Sequence, residues 1–183
     1  MDHLGEGNGG RVGRRHLSSI PTSTVCDLAT SAAILSSKIA SGVSVGDDSI
    51  IYDSTLSSGV QIGSRYVVVA VHIDQERRVY NGNVPFLVLP DRHCLWEVPL
   101  VGDAGRVILC CGIEDNPKSS IYMGSNFCGK PWEKVFSELG IQESNLWNHG
   151  QKQKCLWNAK LFPVVPQAQG LKLAMWLMGF NFD

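Results

Sequence analysis

An unusual six-residue spacing of aliphatic side chains constrains this sequence more than any other feature. Ile39, Val45 and Ile51 are six residues apart, and a second triplet with the same spacing follows after a five-residue step. That second triplet is Leu56, Ile62 and Val68. A six-residue recurrence of one aliphatic residue is typical of the hexapeptide β-helix, in which each hexad supplies one short strand. The spacing therefore predicts a β-helix over residues 31–73, with about two to three coils of three hexads each.

Glycine follows the equivalent aliphatic residues of the two triplets. The strings at 41–46 and 58–63 read Ser-Gly-Val-Ser-Val-Gly and Ser-Gly-Val-Gln-Ile-Gly, so they almost repeat each other at a distance of 17 residues. In a β-helix the aliphatic residue fills the interior, and the next residue forms a corner where a Cβ would crowd the bend. The alternative is an ordinary β-meander with glycine in its hairpins. A solenoid generally needs three or more repeats, so we expect a further coil or a cap.

Beyond residue 78 the pattern changes to longer strands and then to helices. Apolar runs predict strands in a region covering 79–113, with a turn at 102–105. Helical signals lie in a C-terminal part covering 129–179, where apolar residues recur with helical spacing after Pro131 and again over Gln167–Met178. The predicted faces are Trp132, Val135, Phe136 and Leu139 in the first helix, and Leu171, Ala174, Met175 and Met178 in the second. The predicted fold is mainly β with two or three α-helices, and residues 16–183 form the folded domain.

The first 15 residues are predicted to be a flexible leader. They contain a literal GxGxxG string at Gly5–Gly10, but neither a buried strand before it nor a helix after it supports a dinucleotide site. The leader has no apolar core of a secretory signal, and the six cysteines show no disulfide framework. We therefore expect a cytoplasmic protein with reduced thiols. A net charge of −1 gives no basic surface for nucleic acid, and no apolar run is long enough for a membrane span.

The usual catalytic motifs are missing from the sequence. It has no phosphate loop ending in Lys-Ser/Thr, no GxSxG and no HExxH, and it has no CxxC pair for zinc. A small hexapeptide acyltransferase would need many more coils and a loop histidine as base, for which His72 is the sole candidate. We assign no catalytic residue and no metal ligand.

The densest group of polar and aromatic residues is Asp91, Arg92, His93 and Trp96. An arginine can hold an anion bidentately and an indole offers a flat apolar surface to a sugar ring, so this group is a candidate sugar-phosphate contact. If the segment is extended, Arg92 and Cys94 share one face while Asp91 and His93 share the other. Lys130 joins the candidates, because a lysine just before a helix can meet an anion together with the helix amides. The alternative is a structural Asp–Arg pair beside a buried Trp.

Several of these strings resemble one known family. The run from Leu89 to Leu100, the string Asp115-Asn-Pro-Lys and the hexads over 36–73 are similar to the fucokinase/GDP-fucose pyrophosphorylase family, especially the bifunctional plant enzymes of L-fucose salvage. So are Phe127-Cys-Gly-Lys-Pro and Cys155-Leu-Trp-Asn-Ala-Lys-Leu-Phe-Pro. The resemblance covers roughly His16 to Gly179, with the motifs in the expected order.

The resemblance implies a fold and a pathway. The pyrophosphorylase half of this family has a Rossmann-like nucleotidyltransferase domain followed by a left-handed β-helix, and it joins L-fucose 1-phosphate to GTP, giving GDP-L-fucose and pyrophosphate with a divalent metal. The bifunctional members continue into a sugar kinase that makes L-fucose 1-phosphate from L-fucose and ATP. GTP, ATP and Mg²⁺ are therefore implied for the full-length family, whereas no cofactor is expected in this chain.

This chain resembles the β-helix and the segment after it. The nucleotide loop of the transferase is expected upstream of such a segment and the ATP loop of the kinase downstream. We therefore expect a fragment that is inactive alone and acts as a β-helical scaffold. Its expected partners are the nucleotidyltransferase and kinase domains, or a second copy joined through the β-helix ends. The alternative is a non-catalytic interaction module that docks on the full-length enzyme.

Overall fold

The computed structural model describes residues 26–73, 87–102, 105–165 and 167–180. The predicted leader with its glycine-rich string lies outside these residues, as do the 79–86 part of the strand region and residues 103–104 of the predicted turn. Within the described residues the chain consists mainly of strands together with three α-helices. The predicted mainly β class with two or three helices is confirmed.

Short strands between residues 27 and 73 follow one another through three parallel sheets. They are β1 (Asp27–Leu28), β2 (Ala33–Leu35), β3 (Lys38–Ile39), β4 (Ser44–Val45), β5 (Ile50–Tyr52), β6 (Thr55–Leu56), β7 (Val60–Ile62), β8 (Val67–Val69) and β9 (His72–Ile73). Strands β1, β4 and β7 share one sheet, β2, β5 and β8 a second, and β3, β6 and β9 a third. The chain therefore visits the three sheets in a fixed cyclic order, which we call the three-sheet repeat.

The three-sheet repeat continues on the other side of residues 74–86. Strand β10 (Leu87–Leu89) extends the first sheet beside β7, and β11 (His93–Pro99) extends the second beside β8. The register offset between neighbouring strands is 17 residues from Asp27 to Ser44 and becomes 27 from Val60 to Leu87. Strand β12 (Arg106–Gly112) then pairs antiparallel with β11 and ends the second sheet.

The six-residue spacing produces one column of interior side chains for each sheet. The parallel register places Val45 beside Ile62 in the first sheet, as their 17-residue separation predicts. The columns are Leu28, Val45, Ile62 and Leu89; Ile34, Ile51, Val68 and Leu95; and Ile39, Leu56 and Ile73. Those after the first coil are almost completely buried, and full burial of one such side chain stabilises the fold by about 1.5–3 kcal/mol.

Buried serines replace strand pairing at the corners of the repeat. The Ser37 hydroxyl accepts from the backbone N–H of Ser54 at 3.0 Å, and the Ser54 hydroxyl accepts from that of Val71 at 3.1 Å. Both hydroxyls also donate to carbonyl oxygens, those of Leu35 and Tyr52, at 2.8 Å. A buried N–H without a partner costs free energy comparable to a lost hydrogen bond, so these hydroxyls let the corner turn without that cost.

Glycine is required at two further corners because successive coils approach closely there. A Cβ built on Gly46 would lie 2.7 Å from the carbonyl carbon of Gly63. A Cβ on Gly63 would lie 2.7 Å from the backbone nitrogen of Asp91. The expectation that the residue after the interior aliphatic must be small is confirmed at both positions.

The elements after β12 form the helical part of the chain. They are a 3-10 turn at Ile121–Met123, β13 (Asn126–Phe127), β14 (Lys130–Pro131), α1 (Trp132–Leu139), α2 (Glu143–Leu146), a second 3-10 turn at Leu156–Asn158 and α3 (Gln167–Leu177). Helix α1 ends at Gly140, whose φ of 63° provides the left-handed C-cap that the sequence predicts. Trp132 of α1 stacks on Phe127 at 5.5 Å between ring centroids and meets Trp147 edge-on at 5.4 Å.

Helix α3 packs against β12 and against the interior of the three-sheet repeat. A Cβ on Gly170 would lie 3.2 Å from the Cδ1 of Ile108, which shows how closely the helix approaches the strand. At the other end of the helix, the Tyr66 hydroxyl lies 3.6 Å from the sulfur of Met178. The predicted apolar face is buried throughout, at Leu171, Ala174, Met175 and Met178. Over the part of the chain that the structure describes, no helix is both long and apolar enough to cross a bilayer.

Candidate functional site

The candidate residues Asp91 and Arg92 lie at a corner of the three-sheet repeat, between β10 and β11. Arg92 has a φ of 62°, and the corner residues at equivalent positions, Arg65 and Asp48, have φ values of 54° and 55°. The left-handed backbone at Arg92 turns the chain before β11 begins at His93. The expected alternation, with Arg92 and Cys94 on one face and Asp91 and His93 on the other, is therefore wrong, because an extended segment does not start until His93.

Asp91 has a structural task at this corner. One oxygen of its carboxylate accepts a hydrogen bond from the backbone N–H of Ser64, in the preceding coil, at 2.8 Å. Its main-chain carbonyl accepts from Nδ1 of His93 at 2.6 Å. Asp91 thus ties the preceding coil and the imidazole ring to the same corner.

This corner borders a cavity of about 270 Å³. The cavity is lined by residues of the β10–β11 corner, the end of β12 with the loop after it, and the β13–β14 hairpin. They are Asp91, Arg92, His93, Gly112, Ile113, Glu114, Asp115, Asn126 and Gly129. Three of the five candidate residues, Asp91, Arg92 and His93, are therefore brought together at one cavity.

Glu114 forms ion pairs with the arginines at two successive corners. Its carboxylate forms a close ion pair with Arg92 and a longer one with Arg65, at 3.4 Å. The hydrogen bond and charge of Arg92, followed by the weaker effect of Arg65, lower the pKa of Glu114 below its ordinary value. All three side chains are roughly half exposed or more. An ion pair between two exposed side chains is weak in water, so an incoming anion can displace Glu114 from Arg92.

Asp115 organises the opposite wall of the cavity. Its carboxylate accepts from the backbone N–H of Gly112 at 2.7 Å and from that of Gly129 at 3.1 Å. A Cβ on Gly112 would lie 2.8 Å from the nitrogen of Gly129, so the two loops are in close contact. Asp115 thus fixes the position of the β13–β14 hairpin relative to β12.

His93 is the one imidazole in the cavity lining, and two opposing effects act on its pKa. Burial lowers the pKa, but the hydrogen bonds with the Cys128 side chain and with the Asp91 carbonyl raise it more, so the net shift is upward. The carbonyl of Asp91 is an acceptor only, which requires the proton on Nδ1. The upward shift of the pKa makes the positively charged form of the ring easier to reach than in an ordinary histidine.

The other two candidates are not among the residues that line this cavity. Trp96 lies in β11 opposite Leu109 of β12, on the face of the sheet away from the interior column. The Lys130 ammonium lies 2.6 Å from the carboxylate of Glu138. Glu138 is in the last turn of α1, so Lys130 is paired away from the N-terminus of that helix. An anion held by Lys130 and the first amides of α1 would have to separate this ion pair.

Four of the residues that line the cavity were not predicted from the sequence, namely Glu114, Asp115, Asn126 and Gly129. A signal for Asp115 was present, since Asp-Asn-Pro is a turn sequence whose first carboxylate can accept from nearby backbone N–H groups. No comparable local signal marks Glu114, because its role depends on arginines that lie 22 and 49 positions earlier in the chain.

The lining favours a hydroxylated ligand with at most one anionic group. It carries three carboxylates, those of Asp91, Glu114 and Asp115, against the guanidinium of Arg92 and the imidazole of His93. Carboxylate oxygens can accept hydrogen bonds from sugar hydroxyls, and the Asn126 amide can both accept from them and donate to them. Within the described residues, no group of three or more His, Cys, Asp or Glu side chains is placed to hold a metal ion. The residues that the structure describes therefore do not fit the divalent metal that the resemblance implies, and all six cysteines are free thiols.

Comparison with known proteins agrees with the resemblance of the motifs. A family model described as the fucose pyrophosphorylase domain matches residues 1–167. Over 182 residues the chain is 58% identical to the bifunctional fucokinase/GDP-fucose pyrophosphorylase of Arabidopsis thaliana. That alignment covers 99% of this chain and 17% of the relative, so the chain spans about one sixth of the relative's length. No solved structure matches the chain. Because the family model covers most of its residues, the chain belongs to the fucose pyrophosphorylase family.

Proposed function

We propose that this chain is a non-catalytic part of a fucokinase/GDP-fucose pyrophosphorylase enzyme and serves as its β-helical scaffold. The observation on which the proposal rests is the 58% identity to the Arabidopsis enzyme over a segment that makes up only 17% of it. The full enzyme would convert L-fucose 1-phosphate and GTP to GDP-L-fucose and pyrophosphate in the cytoplasm, with Mg²⁺ bound elsewhere. The kinase half would supply the sugar phosphate from L-fucose and ATP.

The scaffold role is supported by how rigidly the three-sheet repeat is built. Its strands β1 to β10 are two or three residues long, and interior columns, corner serines and close glycine contacts hold them together. We propose that the repeat is a left-handed β-helix. Corner residues with a positive φ recur at 17-residue intervals, at Ser36, Asp53 and Ala70, which is consistent with a regular coil.

The cavity beside Arg92 is the proposed sugar-phosphate contact. The phosphate would displace the Glu114 carboxylate from the guanidinium of Arg92, since a bidentate Arg–phosphate pair is stronger than an exposed ion pair. His93 in its charged form would add a donor to the phosphate. The sugar hydroxyls would face the Asp115 side of the cavity. Trp96 and Lys130 would act only if the ligand extends beyond the cavity.

The sugar-phosphate contact can be tested by calorimetric titration with L-fucose 1-phosphate and with L-fucose. We expect the phosphate to bind more tightly, and Arg92→Ala to weaken it at least tenfold. Arg65→Ala is the matched control, because it removes the other partner of Glu114 at a residue outside the cavity lining. Equal affinity for the sugar and its phosphate, or equal losses in both variants, would contradict the assignment.

A second candidate is an interaction module that associates through the end of the three-sheet repeat. The first residue of each interior column, Leu28, Ile34 and Ile39, is only partly buried by the described residues. Light scattering at increasing protein concentration tests this candidate, for which a dimer that Ile34→Glu dissociates is the expected result. A monomer at all concentrations would count against it.

A further inference from the structure

The outer surface of the five-stranded sheet, formed by β12, β11, β8, β5 and β2, differs from the rest of the three-sheet repeat. Its interior column runs through Ile34, Ile51, Val68 and Leu95, so the residues on either side of these point outward. We call this outer surface the apolar face. Across the five strands it consists of Ala33, Leu35, Ile50, Tyr52, Val67, Val69, Cys94, Trp96, Leu109 and Cys111. None of these residues is Asp, Glu, Lys, Arg or His.

The other two sheets place polar residues at the corresponding positions. In the first sheet the outward register runs through Asp27, Ser44 and Gln61 before it reaches Val88. In the third sheet it runs through Lys38, Thr55 and His72. The same hexads therefore produce two polar outer surfaces and one apolar surface, so apolarity is not a general consequence of the repeat.

Large side chains of the apolar face are open to solvent. Leu35, Ile50 and Tyr52 are 39%, 43% and 49% exposed, although they are neighbours in one sheet. Single exposed apolar residues are common, whereas a contiguous apolar patch of a few hundred Å² is often functional. The described residues of this chain leave this part of the face uncovered.

The area of the apolar face limits the kind of partner that can cover it. Five strands about 4.8 Å apart, each with two outward residues, present roughly 300 Å². A stable interface between separate proteins buries about 800 Å² on each partner, so this face alone is too small to hold a free second copy. A partner on the same polypeptide needs less area, because tethering raises its effective concentration to about the millimolar range.

We propose that the apolar face docks an uncharged, apolar surface from the part of the enzyme that lies outside residues 1–183. The inference rests on the proposed function, in which this chain works within a longer enzyme. The Arabidopsis relative carries more than four fifths of its length outside the matching segment, so a tethered partner is available on one polypeptide. The docking would position the scaffold relative to the catalytic parts through Ile50 and Tyr52 at the centre of the exposed region.

Cysteine labelling tests the proposal in two proteins. One is the 183-residue chain, and the other is the Arabidopsis enzyme in which the matching segment is replaced by this chain. Tyr52→Cys reports on the apolar face, and Gln61→Cys is the matched control on the polar outer surface of the first sheet. Alkylation by iodoacetamide is followed by mass spectrometry of the peptide that contains the new cysteine.

We expect Tyr52→Cys to react at least tenfold more slowly in the chimeric enzyme than in the 183-residue chain, and Gln61→Cys to react equally in both. Equal rates for Tyr52→Cys would overturn the proposal. Protection already present in the 183-residue chain would also overturn it, pointing to a second copy if it depends on concentration and to the chain's own residues if it does not. GDP-L-fucose formation is assayed separately, so protection without activity would contradict the proposed function and leave the docking intact.

Discussion

The carboxylate of Asp91 accepts a hydrogen bond at 2.8 Å from the backbone N–H of Ser64, which lies 27 residues earlier at the equivalent corner of the preceding coil. A side chain that looked like a ligand contact in the sequence therefore joins two coils. Its neighbour Arg92 points its guanidinium toward Glu114 at the edge of the cavity. Adjacent residues at one corner thus divide between them the contact to the preceding coil and the ion pair at the cavity.

This division predicts different effects of two Asp91 variants. Asp91→Ala removes the acceptor for the Ser64 N–H and is expected to lower the free energy of unfolding by about 1 kcal/mol. Asp91→Asn keeps an acceptor oxygen and should cost only a few tenths of that. Urea unfolding followed by circular dichroism measures both. If the two variants lose the same stability, the hydrogen bond to Ser64 does not matter.

A methyl group at Gly63 should disturb the contact between the same two coils. Its Cβ would lie 2.7 Å from the backbone nitrogen of Asp91, and backbone atoms cannot move away cheaply. We expect Gly63→Ala to lower the free energy of unfolding by about 1–3 kcal/mol, as overpacking usually does. Gln61→Ala, an exposed outward position two residues earlier, should stay within about 0.5 kcal/mol of the unchanged protein. Equal stability of the two variants would show that the coils are not closely packed there.

The corner serines predict a contrast between two neighbouring hydroxyls. Ser54→Ala leaves the buried N–H of Val71 without its 3.1 Å acceptor, which should cost about 1–3 kcal/mol. The Ser57 hydroxyl is buried without a hydrogen-bond partner, so Ser57→Ala should be neutral or slightly stabilising. Thermal unfolding of the two variants measures the difference. The serine corners would lose their proposed role if Ser57→Ala were as destabilising as Ser54→Ala.

The regular part of the fold was open to prediction because its cause is local. One aliphatic residue in six defines the interior, so the sequence alone places Val45 and Ile62 at equivalent positions of neighbouring coils. The jump to a 27-residue offset at β10 could not be predicted, since residues 74–86 break the spacing that carries the signal. The buried faces of the helices that contain Trp132 and Leu171 could be predicted for the same reason, because helical periodicity is also a local pattern.

The cavity was only half predictable for a related reason. Asp91, Arg92 and His93 are adjacent in sequence, and adjacency drew attention to them. Glu114 and Asn126 reach the same cavity through the antiparallel return of β12 and the hairpin after it, which are long-range consequences of the fold. Arg92 is not extended, because the corner requires a positive φ at this residue. An arginine in the sequence does not indicate such a backbone conformation.

Glu114 should titrate in a way that reports its ion pair with Arg92. Its pKa is lowered by the hydrogen bond and charge of Arg92, so the stability from this pair is present above the unfolded-state pKa of about 4.3 and is lost as the pH falls through the folded-state pKa. In Arg92→Ala the pKa of Glu114 should rise toward its ordinary value, and in Arg65→Ala it should rise less. Carbon-detected NMR of the Glu114 carboxyl measures this. An unchanged pKa in Arg92→Ala would contradict the arrangement.

The scaffold proposal is tested most directly by GDP-L-fucose formation from L-fucose 1-phosphate, GTP and Mg²⁺. Three proteins are compared, namely the 183-residue chain, the chimeric Arabidopsis enzyme that contains this chain, and the Arabidopsis enzyme with the matching segment deleted. We expect no turnover by the 183-residue chain, activity in the chimera close to that of the unmodified enzyme, and loss of activity on deletion. Turnover by the 183-residue chain alone would contradict the scaffold role, as would full activity of the enzyme from which the segment has been removed.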